Sequence, residues 1–308
     1  MSLTRFGRIG VLAGGPSSER EISLRSGRAV HDALLGEGLD SLFLDVKNDI
    51  DEIIKKSCID VAFIALHGRF GEDGTVQRML EDAGIPYTGS GVRASLSALD
   101  KAASKDLFIR NLIPVPRHMV LVKGRLHTDD YNNLGMPIVV KPNLEGSSIG
   151  LSIVTDKNLL PSAIDKAFEY GDKVILEEYI DGRELTVGIL NDMALPVIEI
   201  VPKNKVYDFN AKYKDSDTQY LVPAPIAEDV SEEARRIGVL AHKALGCRSF
   251  SRVDMMMSQS DKIFVLEVNT IPGMTERSLL PKAAQATGLR FSSLCVKILE
   301  DAVKSRTR

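Results

Sequence analysis

The chain has no tryptophan and only three cysteines in 308 residues. Cys58, Cys247 and Cys295 stand far apart, without the spacing of a zinc site or a disulfide framework. No apolar run approaches the roughly 20 residues that a membrane helix needs. The first ten residues contain no hydrophobic stretch of signal-peptide length. A basic excess is also missing: 39 lysines and arginines against 42 aspartates and glutamates leave a net charge of −3. That balance gives nucleic acid no broad electrostatic footprint. With no internal repeat and no low-complexity linker either, the expectation is a cytoplasmic globular protein with no nucleic-acid or membrane partner.

What is present is ordinary for such a protein, with 44% hydrophobic and 26% charged residues. Length alone suggests about two domains. Short apolar runs at 9–13, 41–46 and 61–66 alternate with helical patterns, as in an α/β domain with a parallel sheet reaching to about residue 98. A helix over 100–111 stops at Ile113-Pro114-Val115-Pro116. Strands over 137–142, 151–154, 174–179 and 184–190, with a helix over 161–170 among them, then suggest antiparallel pairing. Beyond a strand over 195–201, residues 207–219 read as a polar loop. A helix over 231–245, paired strands over 250–257 and 263–268, and helix over most of 281–303 complete the chain.

Five constellations carry chemistry. Arg252-Val253-Asp254 and Glu267-Val268-Asn269 lie on consecutive strands, and alternation puts the polar members of each on one face. If the strands pair, Asp254, Glu267 and Asn269 converge as hard oxygen donors suited to Mg²⁺. Arg252 beside them would neutralise charge on a transferring phosphoryl group. A surface hairpin of alternating charge would look the same, but a carboxylate flanked by Val265 and Leu266 is costly to bury unpaired. Lys141-Pro142 followed by Glu145-Gly146-Ser147-Ser148-Ile149-Gly150 is either a plain turn or a loop whose N–H groups and hydroxyls wrap phosphate; it is not a Walker A loop. Gly14-Gly15-Pro16-Ser17-Ser18-Glu19 follows the first strand without a dinucleotide fingerprint. Ser17 or Ser18 there caps a helix, or Glu19 is aimed at a substrate amine. His67-Gly68-Arg69-Phe70-Gly71-Glu72-Asp73-Gly74 follows an apolar strand, at the sheet edge where α/β proteins bind ligands. Lys212-Tyr213 sits in the polar loop, as a lid element or as solvated chain. Met255 to Met257 and the acidic stretch from Glu228 to Glu233 read as packing and solvated surface.

In this order the five resemble the D-alanine–D-alanine ligases of the ATP-grasp superfamily, along essentially the whole chain. Tyr87-Thr88-Gly89-Ser90-Gly91, Tyr207-Asp208-x-x-Ala211-Lys212-Tyr213 and Glu267-x-Asn269-Thr270-x-Pro272-Gly273-Met274-Thr275 extend the match. The resemblance implies an α/β (α+β) three-domain ATP-grasp fold. A Rossmann-like parallel-sheet domain at 1–98 would precede two antiparallel-sheet domains, at 99–183 and 184–308, that grip ATP. It implies that two D-alanines are joined through an acyl phosphate, giving ADP, phosphate and a peptidoglycan precursor, in a homodimer.

Roles follow by position. Glu19, with Ser147 and Tyr213, would hold the first D-alanine's ammonium, and His67 would lie near it. Lys101, Lys141 and Lys212 would contact the phosphates of ATP, and Glu177 and Glu184 its adenine and ribose. Asp254, Glu267 and Asn269 would ligate two Mg²⁺ ions, with Mn²⁺ an alternative. Arg252 and the Gly273 N–H would stabilise the tetrahedral intermediate, and Ser278 and Leu279 would bind the second D-alanine's carboxylate. The chain departs from the family pattern at Arg78, usually a small residue, and at Ser249, commonly Gly or Ala. Two alternatives remain: another ATP-grasp carboxylate ligase, such as a D-alanine–D-lactate ligase, and a nucleotide-binding module without catalysis. Lys212-Tyr213 matches the dipeptide-forming branch, and intact Arg252, Asp254 and Glu267 speak against a silent module.

Overall fold

The computed structural model describes residues 6–47, 50–125, 130–202 and 218–304. Its first part alternates strand and helix: β1 (Ile9–Gly14), α1 (Arg20–Gly36), β2 (Ser41–Val46), α2 (Ile50–Ser57), β3 (Val61–Ile64) and α3 (Thr75–Asp82). The strands pair in parallel in the order β2-β1-β3. β1 and β3 are apolar throughout because both faces are covered. Ile9, Val11, Val61 and Phe63 face one core with Val30 and Leu34 of α1. Leu12, Ala62 and Ile64 face another with Ile50 and Ile54 of α2 and Val76 and Leu80 of α3.

Two helices, α4 (Val92–Leu99) and α5 (Lys101–Arg110), lead into the second sheet. Asp100 accepts a hydrogen bond from the Ala103 N–H and caps α5. The second sheet comprises β4 (His118–Val122), β5 (Ile138–Pro142), β6 (Ser152–Val154) and β7 (Lys173–Glu178), with α6 (Leu160–Phe168) between the last two. It is antiparallel, in the order β4-β7-β5-β6. Ile138, Val140, Val174 and Leu176 pack on α6. Alternation turns Val139, Lys141 and Glu177 to the opposite face.

The third sheet is built from β8 (Gly182–Leu190), β9 (Met193–Ala194), β10 (Ile198–Val201), β11 (Gln219–Leu221), β12 (Phe250–Ser258) and β13 (Ile263–Asn269). Its order is β11-β10-β8-β12-β13, with β9 paired to β8. Helix α7 (Glu228–Ala244) covers Leu185, Val187, Val253 and Met255 on one face. Helices α8 (Leu279–Ala286) and α9 (Phe291–Lys304) follow. The last returns to the first sheet, where Leu294, Ile298 and Leu299 join the core of Ile9, Val11 and Phe63. Parallel and antiparallel sheets thus divide as the sequence predicts.

Several local readings change. Helices α2 and α4 and strand β4 are not among the expected elements. Helix α7 starts at Glu228 rather than Ser231, placing Glu228 and Asp229 in its first turn, where the helix dipole favours acids. The helical stretch over 281–303 is two helices, broken at Gly288 with φ +84°. Ser17 does not cap by reaching into the first turn; its hydroxyl donates to the His67 carbonyl at 2.6 Å. Of the loop expected over 207–219, only Thr218 and Gln219 are described, and Gln219 begins β11. Arg78 is exposed beside Glu81, at 4.0 Å. Among the described residues no helix is long and apolar enough to cross a membrane.

The start of β12, the strand that carries Arg252 and Asp254, is anchored from behind. Fully buried His242 of α7 meets the Ser251 hydroxyl through Nδ1 at 2.7 Å, and its Nε2 lies 3.5 Å from Asp192. Burial pushes His242 from 6.5 down to about 4, against the opposing charge of Asp192. The folded state therefore binds its proton later than the unfolded chain does. The associated stability, about 3 kcal/mol, is complete above pH 6.5 and lost as the pH falls towards 4. Urea titrations of His242→Asn should accordingly show a flatter pH dependence over that window than the parent, whatever its stability at pH 7.

Ser249, just before β12, holds φ +64° with a buried hydroxyl that has no hydrogen-bond partner among the described residues. A side chain in that region is strained, and a buried unpaired hydroxyl adds to the cost. Ser249→Gly should stabilise the fold by about 1 kcal/mol, seen as an upward shift of about 2 °C in the thermal midpoint. A lower midpoint would refute this account.

Candidate active site

Strands β12 and β13 pair as a hairpin with Arg252 opposite Asn269 and Asp254 opposite Glu267. All four share a face, and the next strand inward presents Thr186 opposite Asp254 and Glu184 opposite Met256 on that face. The register then slips: Met255 pairs with Val265, leaving Leu266 as an extra residue in β13. This bulge turns Leu266 to the same side as Glu267.

Every predicted site residue within the described part lines one of two adjoining clefts. The first, of about 570 Å³, is lined by Glu19, His67, Ser147, Arg252, Asn269, Gly273, Ser278 and Leu279. The second, of about 470 Å³, is lined by Lys141, Glu177, Glu184 and Asp254, with backbone neighbours Glu178 to Ile180. Lys101, Gly146 and Glu267 belong to both and form the wall between them. Lys212 and Tyr213 lie outside the described residues.

In the first cleft, the Ser147 hydroxyl donates a short hydrogen bond to Glu19, joining the Gly/Ser loop to the start of α1. Ser147 and Ser148 both adopt positive φ, at +51° and +59°, strain held in place by this tether. Gly68 has φ +69°, and a Cβ there would sit 2.8 Å from Glu19 Oε2. His67 contacts the Ser26 hydroxyl through Nε2 at 3.1 Å and lies 3.6 Å from Glu72 through Nδ1. The Met274 N–H donates to the same Ser26 hydroxyl at 3.2 Å, tying α1 to the loop after β13. Burial raises the Glu72 carboxyl above its ordinary value; His67 opposes the rise and the Glu19 charge adds to it. In that loop, the Thr275 N–H donates to Ser278 Oγ at 3.1 Å, and Ser278 stands at the N-cap of α8.

In the second cleft, Glu177 is flanked by two lysines. Lys141 reaches Oε2 at 3.0 Å and Lys105 reaches Oε1 at 2.8 Å. Burial alone would raise the Glu177 carboxyl, but the two positive charges outweigh it and hold it at about 2. Lys101 lies 3.2 Å from Glu267 and donates to the Glu145 carbonyl at 2.7 Å. Arg252 grips Asp254 with two hydrogen bonds, at 2.8 and 2.7 Å, and Thr186 donates to the same carboxylate at 2.7 Å. Arg252 lines the first cleft and Asp254 the second, so this pair spans their junction.

The donor set fits Mg²⁺. Among the described residues no three His, Cys, Asp or Glu side chains cluster as metal ligands. Two carboxylates and one amide oxygen are nevertheless what Mg²⁺ takes from a protein when substrate phosphates and water complete its shell. Asn269 Oδ1 accepts from the Ile271 N–H at 3.0 Å, which fixes the amide's orientation.

Sequence reasoning missed Glu72, Thr186, Lys105 and Met256. Thr186 and Met256 follow from strand alternation, two residues from Glu184 and Asp254. Met256 therefore belongs to the cleft and not to the packing assigned to all three methionines, of which Met255 and Met257 are buried. Glu72 lies within a quoted motif but had no role. Lys105 sits one helical turn after Lys101, a position with no signal except that spacing.

The family model for the C-terminal part of D-Ala–D-Ala ligases matches residues 107–300, and that for the N-terminal part matches 44–90. The D-alanine–D-alanine ligase of Citrifermentans bemidjiense is 48% identical over 295 residues, covering 96% of each chain. That of Geotalea uraniireducens is 46% identical, covering 96% of this chain and 95% of its own. The crystal structure of the Bacillus anthracis D-alanine–D-alanine ligase superposes with a TM-score of 0.89 at 40% identity, over 97% of this chain and 98% of that one. The same enzyme complexed with ATP gives 0.87 at 37% identity, over the same shares. With both clefts, the three sheets and these relatives in agreement, the chain belongs to the D-alanine–D-alanine ligase family.

Proposed function

We propose that the chain joins two D-alanines into D-alanyl-D-alanine, converting ATP to ADP and phosphate, for peptidoglycan precursor synthesis. The observation that carries this reading is the shared wall. A cleft that holds the Glu19 carboxylate and the Arg252 guanidinium adjoins one that presents Lys101 and Lys141 beside Asp254 and Glu267, and the Arg252–Asp254 pair bridges the two.

In the first step a carboxylate oxygen of the first D-alanine attacks the γ-phosphorus, giving an acyl phosphate and ADP. In the second, the amine of the other D-alanine attacks the acyl carbon; phosphate leaves and the amine loses a proton. Glu19, oriented by Ser147, holds the first ammonium. His67, braced by Ser26 and Glu72, packs beside it. Lys101 and Lys141 meet the triphosphate, and Glu177 and Glu184 the adenosine end. Asp254, Glu267 and Asn269 hold Mg²⁺, which when bound neutralises and orients the phosphate oxygens. The Arg252 guanidinium and the Gly273 N–H face the acyl carbon's oxygen as it gains negative charge. Ser278, at the α8 N-terminus with Leu279, receives the second carboxylate, an anion that a helix N-terminus favours. Lys212 and Tyr213 complete the phosphate and ammonium sites in this reading. The reading also includes a cytoplasmic homodimer with small-molecule partners only, and three units at 1–98, 99–183 and 184–308, the last helix reaching back to the first.

Phosphate release with Mg·ATP and D-alanine, L-alanine, or D-alanine plus D-lactate tests the reaction, with products identified by mass. Release with D-alanine alone, giving the dipeptide, is expected; release only with lactate would assign the depsipeptide reaction instead. Arg252→Ala should keep nucleotide affinity yet lower kcat on the order of 10²-fold or more, as for a lost oxyanion donor. Unchanged turnover would remove Arg252 from the chemistry. Gly68→Ala, by displacing Glu19, should raise KM for D-alanine about tenfold and leave KM for ATP in place; steady-state kinetics in both substrates separates the two.

A further inference from the structure

Lys105 is a fully buried lysine that touches neither cleft. It lies on the inner face of α5 with Lys101, Ser104 and Phe108, one turn beyond Lys101. Its ammonium sits 2.8 Å from one oxygen of Glu177, while Lys141 sits 3.0 Å from the other. Glu177 itself is 2% exposed and Lys141 8%; both line the second cleft, whereas Lys105 lies behind them.

A buried lysine is expensive unless a charge compensates it. Glu177 alone would satisfy Lys141 and need no second cation. Burial lowers the Lys105 ammonium from its ordinary value while Glu177 opposes the drop. With Lys105 held protonated by that contact, two cations on one carboxylate leave the group with one net positive charge, on the side where Lys141 lines the cleft. We infer that Lys105 is a positioning residue that neutralises Glu177 from behind, so that the charge of Lys141 remains available to the phosphates of the nucleotide. This rests on the reading that Lys141 contacts those phosphates. Without Lys105, Glu177 and Lys141 form a neutral pair, and the cleft loses its attraction for the triphosphate rather than for the base.

The readout is the ratio of the adenosine Kd to the ATP Kd, measured by calorimetry with Mg²⁺ present. Adenosine carries no phosphate, so changes at the base cancel. Lys105→Met should lower the ratio on the order of tenfold. The double variant Lys105→Met with Glu177→Gln restores one net positive charge and should bring the ratio back to near the parent value. A merely structural role predicts weaker binding of both ligands and an unchanged ratio, which would overturn the inference, as would a double variant that fails to recover. If Lys105→Met alone does not fold, Glu177→Gln is compared with the double variant. Its two uncompensated lysines should then give the higher ratio, and equal ratios would overturn the inference. Lys141→Met serves as the separate check on the underlying reading: it must lower the ratio, and an unchanged value would remove Lys141 from the phosphate site.

Discussion

The pairing of β12 with its two neighbours fixes nearly everything that matters in this molecule. Once Asp254 stands opposite Glu267 on one side and Thr186 on the other, Arg252, Glu184 and Asn269 have no choice of face. A slip of one residue would send the polar set into the apolar layer beneath α7 and bring Val253 and Met255 out. The apolar side of the strand therefore sets the register of the polar side. The bulge at Leu266 ends the strict alternation where the cleft needs an apolar lining beside a carboxylate.

Charge balance is the second constraint. The clefts hold Glu19, Glu72, Glu177, Asp254 and Glu267 close to Lys101, Lys141 and Arg252, with Lys105 behind Glu177. Most of these carboxylates meet a cation or a strong donor that offsets their desolvation; Glu72, with only His67 beside it among the described residues, stays raised by its burial. The partners also come from different parts of the chain: Lys101 and Glu267 from α5 and β13, Ser147 and Glu19 from the Gly/Ser loop and α1. Arg69 and Glu145 add an ion pair at 3.0 Å across the same gap, more exposed and correspondingly weaker. The site is thus assembled from three sheets, and its ion pairs double as connections between them.

Much of this was legible in the sequence, for physical reasons. Apolar runs at 9–13 and 61–66 announced doubly covered parallel strands, and the Arg-x-Asp and Glu-x-Asn spacing announced a shared face. What periodicity missed was where polar residues stand on buried positions. The inner face of α5 carries Lys101 and Lys105, so its apolar pattern is too weak to mark which side is buried. Helix α4, with serine and arginine among its apolar positions, gave no clean stripe. The slip at Leu266 depends on cross-strand geometry that a single strand's sequence does not encode. The pairing of Glu19 with Ser147 was expected from the resemblance alone; their contact joins positions 128 residues apart, beyond any local rule.

The return of α9 to the first sheet has a consequence for the order of synthesis. Ile9, Val11 and Phe63 share a core with Leu294, Ile298 and Leu299. A ribosome therefore releases the first sheet long before one of its covering helices exists. Until the last helix emerges, the part of that face it covers offers an open apolar strip beside α1. Such a strip is open to association with other chains or to capture by a chaperone. Because the contacts that close it are among the most distant in the sequence, the N-terminal sheet, first to be made, is among the last parts to be finished.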